Sequence, residues 1–344
     1  MEVLKVRNPH EALPLAISLL EKCGYQRESR FGRVIRAPWP VVTDYSLPLE
    51  RVVFWPERDA NPFLHLYESL WMLAGRNDSA PLIKFAKNFE MFSTNGTIHD
   101  AYGHRWRKAF GKDQLPIIAQ ILRKNPDDRR CVLQMWDIHS DLGKEGPAFP
   151  CNLTITFQID ASGRLEMDIF CRSNDIIWGT YGANCVHFSM LLEYMSRMIG
   201  CQVGHMRHYS VNWHAYLEQY EKMRIFKNAW NNPYYLGVVH SVEMPKNVKD
   251  IDTFIDFILA QVDSEFHLKV EPHGHPWYET VHDVLLAHHI WKSLTAPDRY
   301  TAALEILDTH DESIDWIYAA KEWLGRRYMK WMEKEEKKEQ SRSS

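Results

Sequence analysis

Of the six cysteines, at positions 23, 131, 151, 171, 185 and 201, five lie among apolar or β-branched neighbours, where a thiol packs as a small hydrophobe. Cys151 stands apart, in the turn-like run A-F-P-C-N. A thiolate is soft and strongly nucleophilic, and nearby positive charge keeps it ionised near neutral pH, so Cys151 is the side chain best suited to covalent attack. No two cysteines form a C-x-x-C pair and their spacing fits no small disulfide framework, which reads as reduced thiols. Glu68 is the second candidate. It is the one acid in N-P-F-L-H-L-Y-E-S-L-W-M-L-A-G (61–75), and a lone carboxylate in apolar surroundings suits proton shuttling. His273, His275, His282, His288 and His289 match no standard zinc spacing, so no metal is expected.

These side chains need elements to hold them. Residues 10–23 carry apolar positions at helical spacing and stop at Gly24; 61–75 reads as a buried helix with Asn61 as cap, Pro62 in the first turn and Gly75 at its end. The stretches 131–137 and 151–171 alternate with period two, broken by the turn A-S-G-R, and 184–199 returns to a mostly apolar helix closed by Gly200. Strands and buried helices mix without a βαβ period, which predicts an α+β fold. Helical periodicity in 250–264, 277–293, 298–308 and 313–333 predicts a helical C-terminal subdomain. The expected division is a catalytic domain over 1–235, a helical extension over 236–333, and a charged tail over 334–344 that starts as a solvated helix and frays into disorder.

Length and charge exclude other classes. The 344 residues are 45% apolar, enough for a full core, and Lys plus Arg against Asp plus Glu gives 41 − 45 = −4. No global positive field exists to hold a nucleic-acid polymer. No stretch approaches the roughly 20 apolar residues that cross a bilayer, so no membrane association and a cytoplasmic location are expected.

Seven short motifs then occur in order: R-E-S-R-F-G from 27, Y-E-S-L-W-M-L-A-G-R-N from 67, D-A-Y-G-H-R-W-R from 100, N-P-D-D-R-R from 125, F-P-C-N from 149, C-R-S-N-D from 171 and N-W-H-A-Y from 212. Their order and spacing resemble the thymidylate synthase and pyrimidine-nucleotide hydroxymethylase superfamily, over about 27–220. The resemblance implies a thymidylate synthase-like fold, a pyrimidine nucleoside monophosphate as substrate, and 5,10-methylenetetrahydrofolate as cosubstrate. It makes Cys151 the nucleophile that adds to carbon 6 of the ring, with Arg172 beside it, Glu68 as proton shuttle and Tyr102 as the active-site tyrosine. Guanidinium groups bind phosphate bidentately, and the resemblance gives that task to Arg30, Arg172 and Ser173, with Arg129 and Arg130 donated across a homodimer interface. His214 and Tyr216 resemble the pair that holds the sugar 3′-hydroxyl, and Asp175 the aspartate that holds the pterin.

The departures from the family pattern bear on the product. Methylating members carry a tryptophan pair before Y-G-x-x-W-R, whereas this span, N-F-E-M-F-S-T-N-G-T-I-H-D, has none and offers Phe89 and Phe92. The apolar C-terminal segment is replaced by E-K-K-E-Q-S-R-S-S, the histidine after the nucleophile by Asn152, and the acid before His214 by Asn212. All four favour capture of the carbon-5 methylene by water, giving a 5-hydroxymethyl nucleotide; the alternatives are reductive methylation, as in thymidylate synthase itself, and an inactive nucleotide-sensing homologue. The base-reading loop, W-G-T-Y-G-A-N-C, is one residue longer than the family spacing, so Ala183 or Asn184 occupies the base-reading place, with Asn184 preferred. An amide suits uracil or, flipped, cytosine. Asp137 is a carboxylate that would favour cytosine only if it lay near the base.

Overall fold

A computed structural model describes residues 1–146, 148–224, 232–267 and 274–343; His273 lies outside them. The chain opens with β1 (Glu2–Val6), α1 (Pro9–Cys23), a hairpin of β2 (Tyr25–Ser29) and β3 (Gly32–Arg36), and β4 (Val41–Tyr45). Then come α2 (Pro62–Leu73), α3 (Ala80–Phe85), a 3-10 turn (Lys87–Phe92), a small ladder of β5 (Ser93–Thr94) and β6 (Thr97–Ile98), and the helices α4 (Tyr102–Arg107) and α5 (Gln114–Lys124). Strands β7 (Val132–Gln134), β8 (Asn152–Ile159) and β9 (Arg164–Asp175) lead through a π-helical turn (Ile176–Ala183) into α6 (Asn184–Ile199) and β10 (Gln202–Tyr216). The rest is helical: α7 (Leu217–Met223), α8 (Val248–Asp263), α9 (Pro276–Ser293), α10 (Asp298–Leu307) and α11 (Asp315–Ser343).

Eight strands make one mixed sheet, β1-β4-β10-β9-β8-β7, with β3 also pairing β10 beyond the end of β4 and β2 pairing β3. The long β10 is its spine: it runs antiparallel to β4 and then β3 on one side and parallel to β9 on the other. Alternation sorts the two faces. Leu165, Met167, Ile169 and Cys171 of β9 are buried under α6, while Phe170 on the opposite face is exposed and stacks on Tyr209 of β10, ring centroids 4.8 Å apart.

Helix α2 begins where Asn61 Oδ1 accepts the Leu64 N–H at 3.2 Å and Pro62 fills the first turn. It is apolar all round because it is covered on several sides, by α6 and by α8, α9 and α11. Phe63 meets Trp323 of α11 edge-on at 5.3 Å. The C-terminal helices therefore share one core with the sheet domain, a cluster that includes Phe63, Ile169, Phe188, Trp277 and Leu324. Burying such side chains contributes about 1.5–3 kcal/mol each. Helix α11 runs through the charged stretch to Ser343. The late histidines serve packing and ion pairing: His288 stacks on Phe85 at 4.4 Å, and His282 Nδ1 lies 2.7 Å from Asp283. Among the described residues no helix is long and apolar enough to cross a membrane.

Candidate active site

A cavity of about 700 Å³ opens where β10, β9 and the β2–β3 hairpin meet α2 and α4. Each wall follows from local sequence. The hairpin turns on Gly32, at φ +109°, and sets Arg30 at its tip. The end of β10 supplies Asn212, His214 and Tyr216, and His214 pairs in register with Arg36 of β3. Cys151 immediately precedes β8, and Arg172 and Ser173 come from β9, whose Arg172 N–H donates to the Cys151 carbonyl at 2.9 Å. Glu68, Trp71 and Met72 project from α2, Tyr102 from α4, and Phe89, Phe92, Ile98 and Phe149 form an apolar wall.

Tyr102 is fastened to the nucleophile's backbone. Its hydroxyl oxygen accepts the N–H of Cys151 at 3.2 Å and of Asn152 at 3.4 Å, leaving its own proton for another acceptor. Arg172 braces the same turn, its Nε donating to the Pro150 carbonyl at 2.9 Å and its Nη2 to that of Phe149 at 3.2 Å. Both cations, Arg172 and Arg30, act to lower the Cys151 pKa, but burial outweighs them and pushes the thiol up. Burial and the two cations therefore pull the thiol in opposite directions, and in the ligand-free cavity burial is the larger effect. Burial likewise raises Tyr102 and Tyr216, and Tyr216 senses both Cys151 and Arg30.

One backbone contact joins Tyr102 to Glu68. A Cβ on Gly103 would lie 2.0 Å from the Met72 carbonyl oxygen and 2.4 Å from its Cα, so α4 touches α2 one residue past Tyr102 and one turn past Glu68. His187, which does not line the cavity, places its Nε2 3.2 Å from Glu68 Oε2.

Eight predicted residues thus meet in one cavity: Cys151, Glu68, Tyr102, Arg172, Arg30, Ser173, His214 and Tyr216. Four do not line it. Arg129 and Arg130 lie between α5 and β7, and Arg130 is largely exposed and paired with Asp128 at 2.6 Å. Asp175 caps the π-helical turn, accepting the Ile177 and Trp178 N–H groups at 2.6 and 2.8 Å, while its Oδ2 is enclosed without a partner and burial raises its pKa. Asn184 opens α6 and donates to Asn174 Oδ1 at 3.2 Å. Asp137 accepts from Ser140 at 2.8 Å and the His139 N–H at 3.0 Å, away from the cavity wall.

Sequence reasoning missed Asp100, Arg27 and Arg36, all of which line the cavity. Burial raises the Asp100 carboxyl, and the Arg36 Nε is enclosed without a partner. Asp100 and Arg27 each carried a signal, as the first residues of D-A-Y-G and R-E-S-R-F-G; Arg36 carried none. The arrangement offers a thiol, the Glu68 carboxyl group, four guanidiniums for anionic groups, and an aromatic wall formed by Trp71, Phe89, Phe92 and Phe149. That wall fits a flat heterocycle such as a pterin, and the volume lies within the range of ligand sites.

A thymidylate synthase family model matches residues 24–272. A Deoxyuridylate hydroxymethyltransferase of Pseudomonas phage M6 is 42% identical over 339 residues, 95% of each chain. A Deoxyuridylate hydroxymethyltransferase of Bacillus phage SP01 is 33% identical over 201 residues, covering 55% of this chain and 52% of that one. Among solved structures, thymidylate synthase from T4 phage superposes with a TM-score of 0.51 at 20% identity, over 62% of this chain and 79% of the other, a likeness of fold alone.

Proposed function

The chain belongs to the thymidylate synthase family, and from that premise we propose that it transfers a one-carbon unit from methylenetetrahydrofolate to carbon 5 of deoxyuridine monophosphate, with water completing a 5-hydroxymethyl product. The observation that carries the chemistry is the convergence of Cys151, Arg172, Arg30, Tyr102 and Glu68 on one cavity. The relative aligned along 95% of both chains carries the choice of base and product.

Carbon 5 of a pyrimidine is too weak a nucleophile to take carbon unaided. Addition of the Cys151 sulfur to carbon 6 makes it an enolate carbon, and the folate supplies carbon at the formaldehyde level. The cavity thiol must lose its proton first, and Arg172 and Arg30, which act to lower its pKa, favour that ionised form. Tyr102 fixes the nucleophile's backbone, and Glu68 carries protons between ring and solvent. Arg30, Arg172 and Ser173 bind the phosphate, and His214 and Tyr216 the sugar. Asp175, whose carboxylate keeps an unpartnered oxygen, holds the pterin, and Asn184 reads the base once its amide turns from Asn174.

We infer a homodimer in which Arg129 and Arg130 complete the partner's phosphate site. The open sheet face supports this: Val132, Phe170 and Val211 are exposed on it, and the two arginines lead directly into β7. A biosynthetic enzyme of this kind works in the cytoplasm, and its mechanism needs no metal. The test is to incubate the protein with methylenetetrahydrofolate and dUMP, dCMP or CMP and to weigh the nucleotide. Gain of CH2O by dUMP is expected. Gain of CH2 supports reductive methylation instead, and no gain with any nucleotide, alongside tight binding, overturns the reading in favour of a sensor.

A further inference from the structure

Glu68 needs support that its own helix does not give. No side chain of α2 hydrogen-bonds it, and the residue after the nucleophile, Asn152, is engaged elsewhere, its Oδ1 2.9 Å from His208 Nε2. Support comes from α6. His187 is buried, with a side chain 2% exposed, and its Nε2 stands 3.2 Å from Glu68 Oε2. In the ligand-free site that nitrogen has no hydrogen-bond partner, and a buried imidazole nitrogen left idle carries a desolvation cost that a small turn of the ring toward Oε2 would remove.

We propose that His187 is a positioning residue for the proposed carbon transfer, holding one oxygen of Glu68 so that the other faces the pyrimidine. The proposal rests on the reading that Glu68 carries protons for a nucleotide in this cavity. Its geometry is set by helix packing. α2 and α6 lie side by side, and Glu68 lines the cavity while His187 does not. An Nε2–H turned onto the carboxylate would fix its rotamer. The surroundings of His187 agree. His65 of α2 crosses it perpendicularly at 6.4 Å; burial, with lesser contributions from Arg58 and His187, holds His65 far below the usual histidine range, so it stays uncharged. Arg58, before α2, acts on His65, Glu322 and Arg326 of α11 share a small cavity with His65, and Asp100, which lines the active-site cavity, feels Glu68. Nothing in the spacing of N-C-V-H-F-S-M-L-L-E-Y shows this role, because a histidine on an apolar helix reads as packing.

The experiment compares H187M, which fills the volume but has no donor, with H187Q, whose amide reaches the same oxygen. Expected for H187M is a kcat lower by about 10–100-fold, a nucleotide Kd within about 2-fold of wild type, and an acid limb of the kcat profile moved to higher pH, with most of the rate restored in H187Q. Should H187M fail to fold, H187N, whose amide stops short of Glu68, replaces it. A donor-free variant with wild-type kcat and acid limb overturns the proposal, as does an H187Q enzyme no better than H187M at equal thermal midpoint. A wild-type protein that modifies no pyrimidine nucleotide overturns the functional reading instead. The carboxyl absorption of Glu68, taken as wild type minus E68Q in infrared difference spectra, then still decides: titration at higher pH in H187M than in wild type supports the contact, and unchanged titration refutes it.

Discussion

Replacing Gly103 by alanine tests whether one backbone contact assembles the site. The new Cβ would fall 2.0 Å from the Met72 carbonyl oxygen, against an ordinary contact of 3.4 Å or more, so α4 has to retreat by about 3.4 − 2.0 = 1.4 Å. Neither partner can yield alone, since the obstacle is backbone and not the end of a flexible side chain. Tyr102 is the adjacent residue, and its hydroxyl already stands 3.2 and 3.4 Å from the Cys151 and Asn152 N–H groups. A retreat of that size takes both bonds out of range and leaves two amides at the nucleophile without a partner. Overpacking costs about 1–3 kcal/mol, and the unpaired amides about 1–3 kcal/mol more. For a chain of this size the expected fall in thermal midpoint is about 5 °C. The rate should fall more, by about 100-fold, because the nucleophile turn shifts by about an ångström relative to the phosphate arginines. Calorimetry reads the first quantity and nucleotide mass analysis the second. Gly325 of α11, where a Cβ meets nothing, is the control, and G325A should leave both unchanged or raise the midpoint slightly. A folded G103A enzyme with wild-type kcat would refute the claim that this contact places Tyr102.

The buried Cys151 and the proposed sharing of Arg129 and Arg130 give two further expectations. Because burial raises the Cys151 thiol, little of it should be thiolate at pH 7. Iodoacetamide labelling, read by peptide mass analysis, should keep accelerating with pH beyond 9.0, and R172Q should displace the curve further upward because Arg172 acts to lower the pKa. A plateau near pH 7 would contradict the burial argument. Mixing equal amounts of C151S subunits with R129A/R130A subunits should restore about a quarter of wild-type activity, since half the dimers are mixed and one of their two sites is intact. Absence of restoration after verified subunit exchange would place the arginines in their own chain's site.

Much of this architecture was legible because local signals and tertiary demands agree. Asn61 caps α2, Gly200 ends α6 at φ +89°, and Gly163 turns β8 into β9 at φ +78°, each where the sequence put it. Gly24 also stops α1, yet its φ is −67°, an ordinary extended value. It is glycine for space, since a Cβ would meet the Leu20 carbonyl oxygen at 2.5 Å and Ile35 at 2.7 Å. A sequence shows that a helix ends but not which of two physical reasons ends it. The same limit applied at the site. Motifs assigned Cys151, Tyr102 and Glu68 to one pocket, but the relation that assembles them, Gly103 against Met72, depends on two helices meeting at one point. The balance at Cys151 is illegible for a similar reason: positive neighbours can be read from motifs, and the depth of burial that opposes them cannot.

The extra residue between Gly179 and Asn184 shows how far such tertiary dependence reaches. An insertion can be absorbed anywhere along a turn, and spacing alone left Ala183 and Asn184 both eligible. The chain absorbs it by widening one turn to π geometry, with Tyr181 and Gly182 leaving helical φ and ψ. What permits the widening is Arg58, more than a hundred residues earlier, whose Nε donates to the Ile177 carbonyl at 2.6 Å. Its guanidinium also packs so close to Gly182 that a Cβ there would meet Nη2 at 2.7 Å. The turn therefore needs an arginine at 58 and a bare Cα at 182 together. Asn184 then becomes the first residue of α6, its amide held by Asn174 at 3.2 Å and its Nδ2 3.2 Å from where a Cβ on Gly179 would stand. Asn174 is itself tied to Ser210 at 3.0 Å and His208 at 3.1 Å, so its carbonyl oxygen is the end left for Asn184. If Asn184 reads the base as proposed, a pyrimidine must compete with that hydrogen bond, and the buried amide of Asn174, not the motif spacing, then sets how readily the side chain turns toward a substrate.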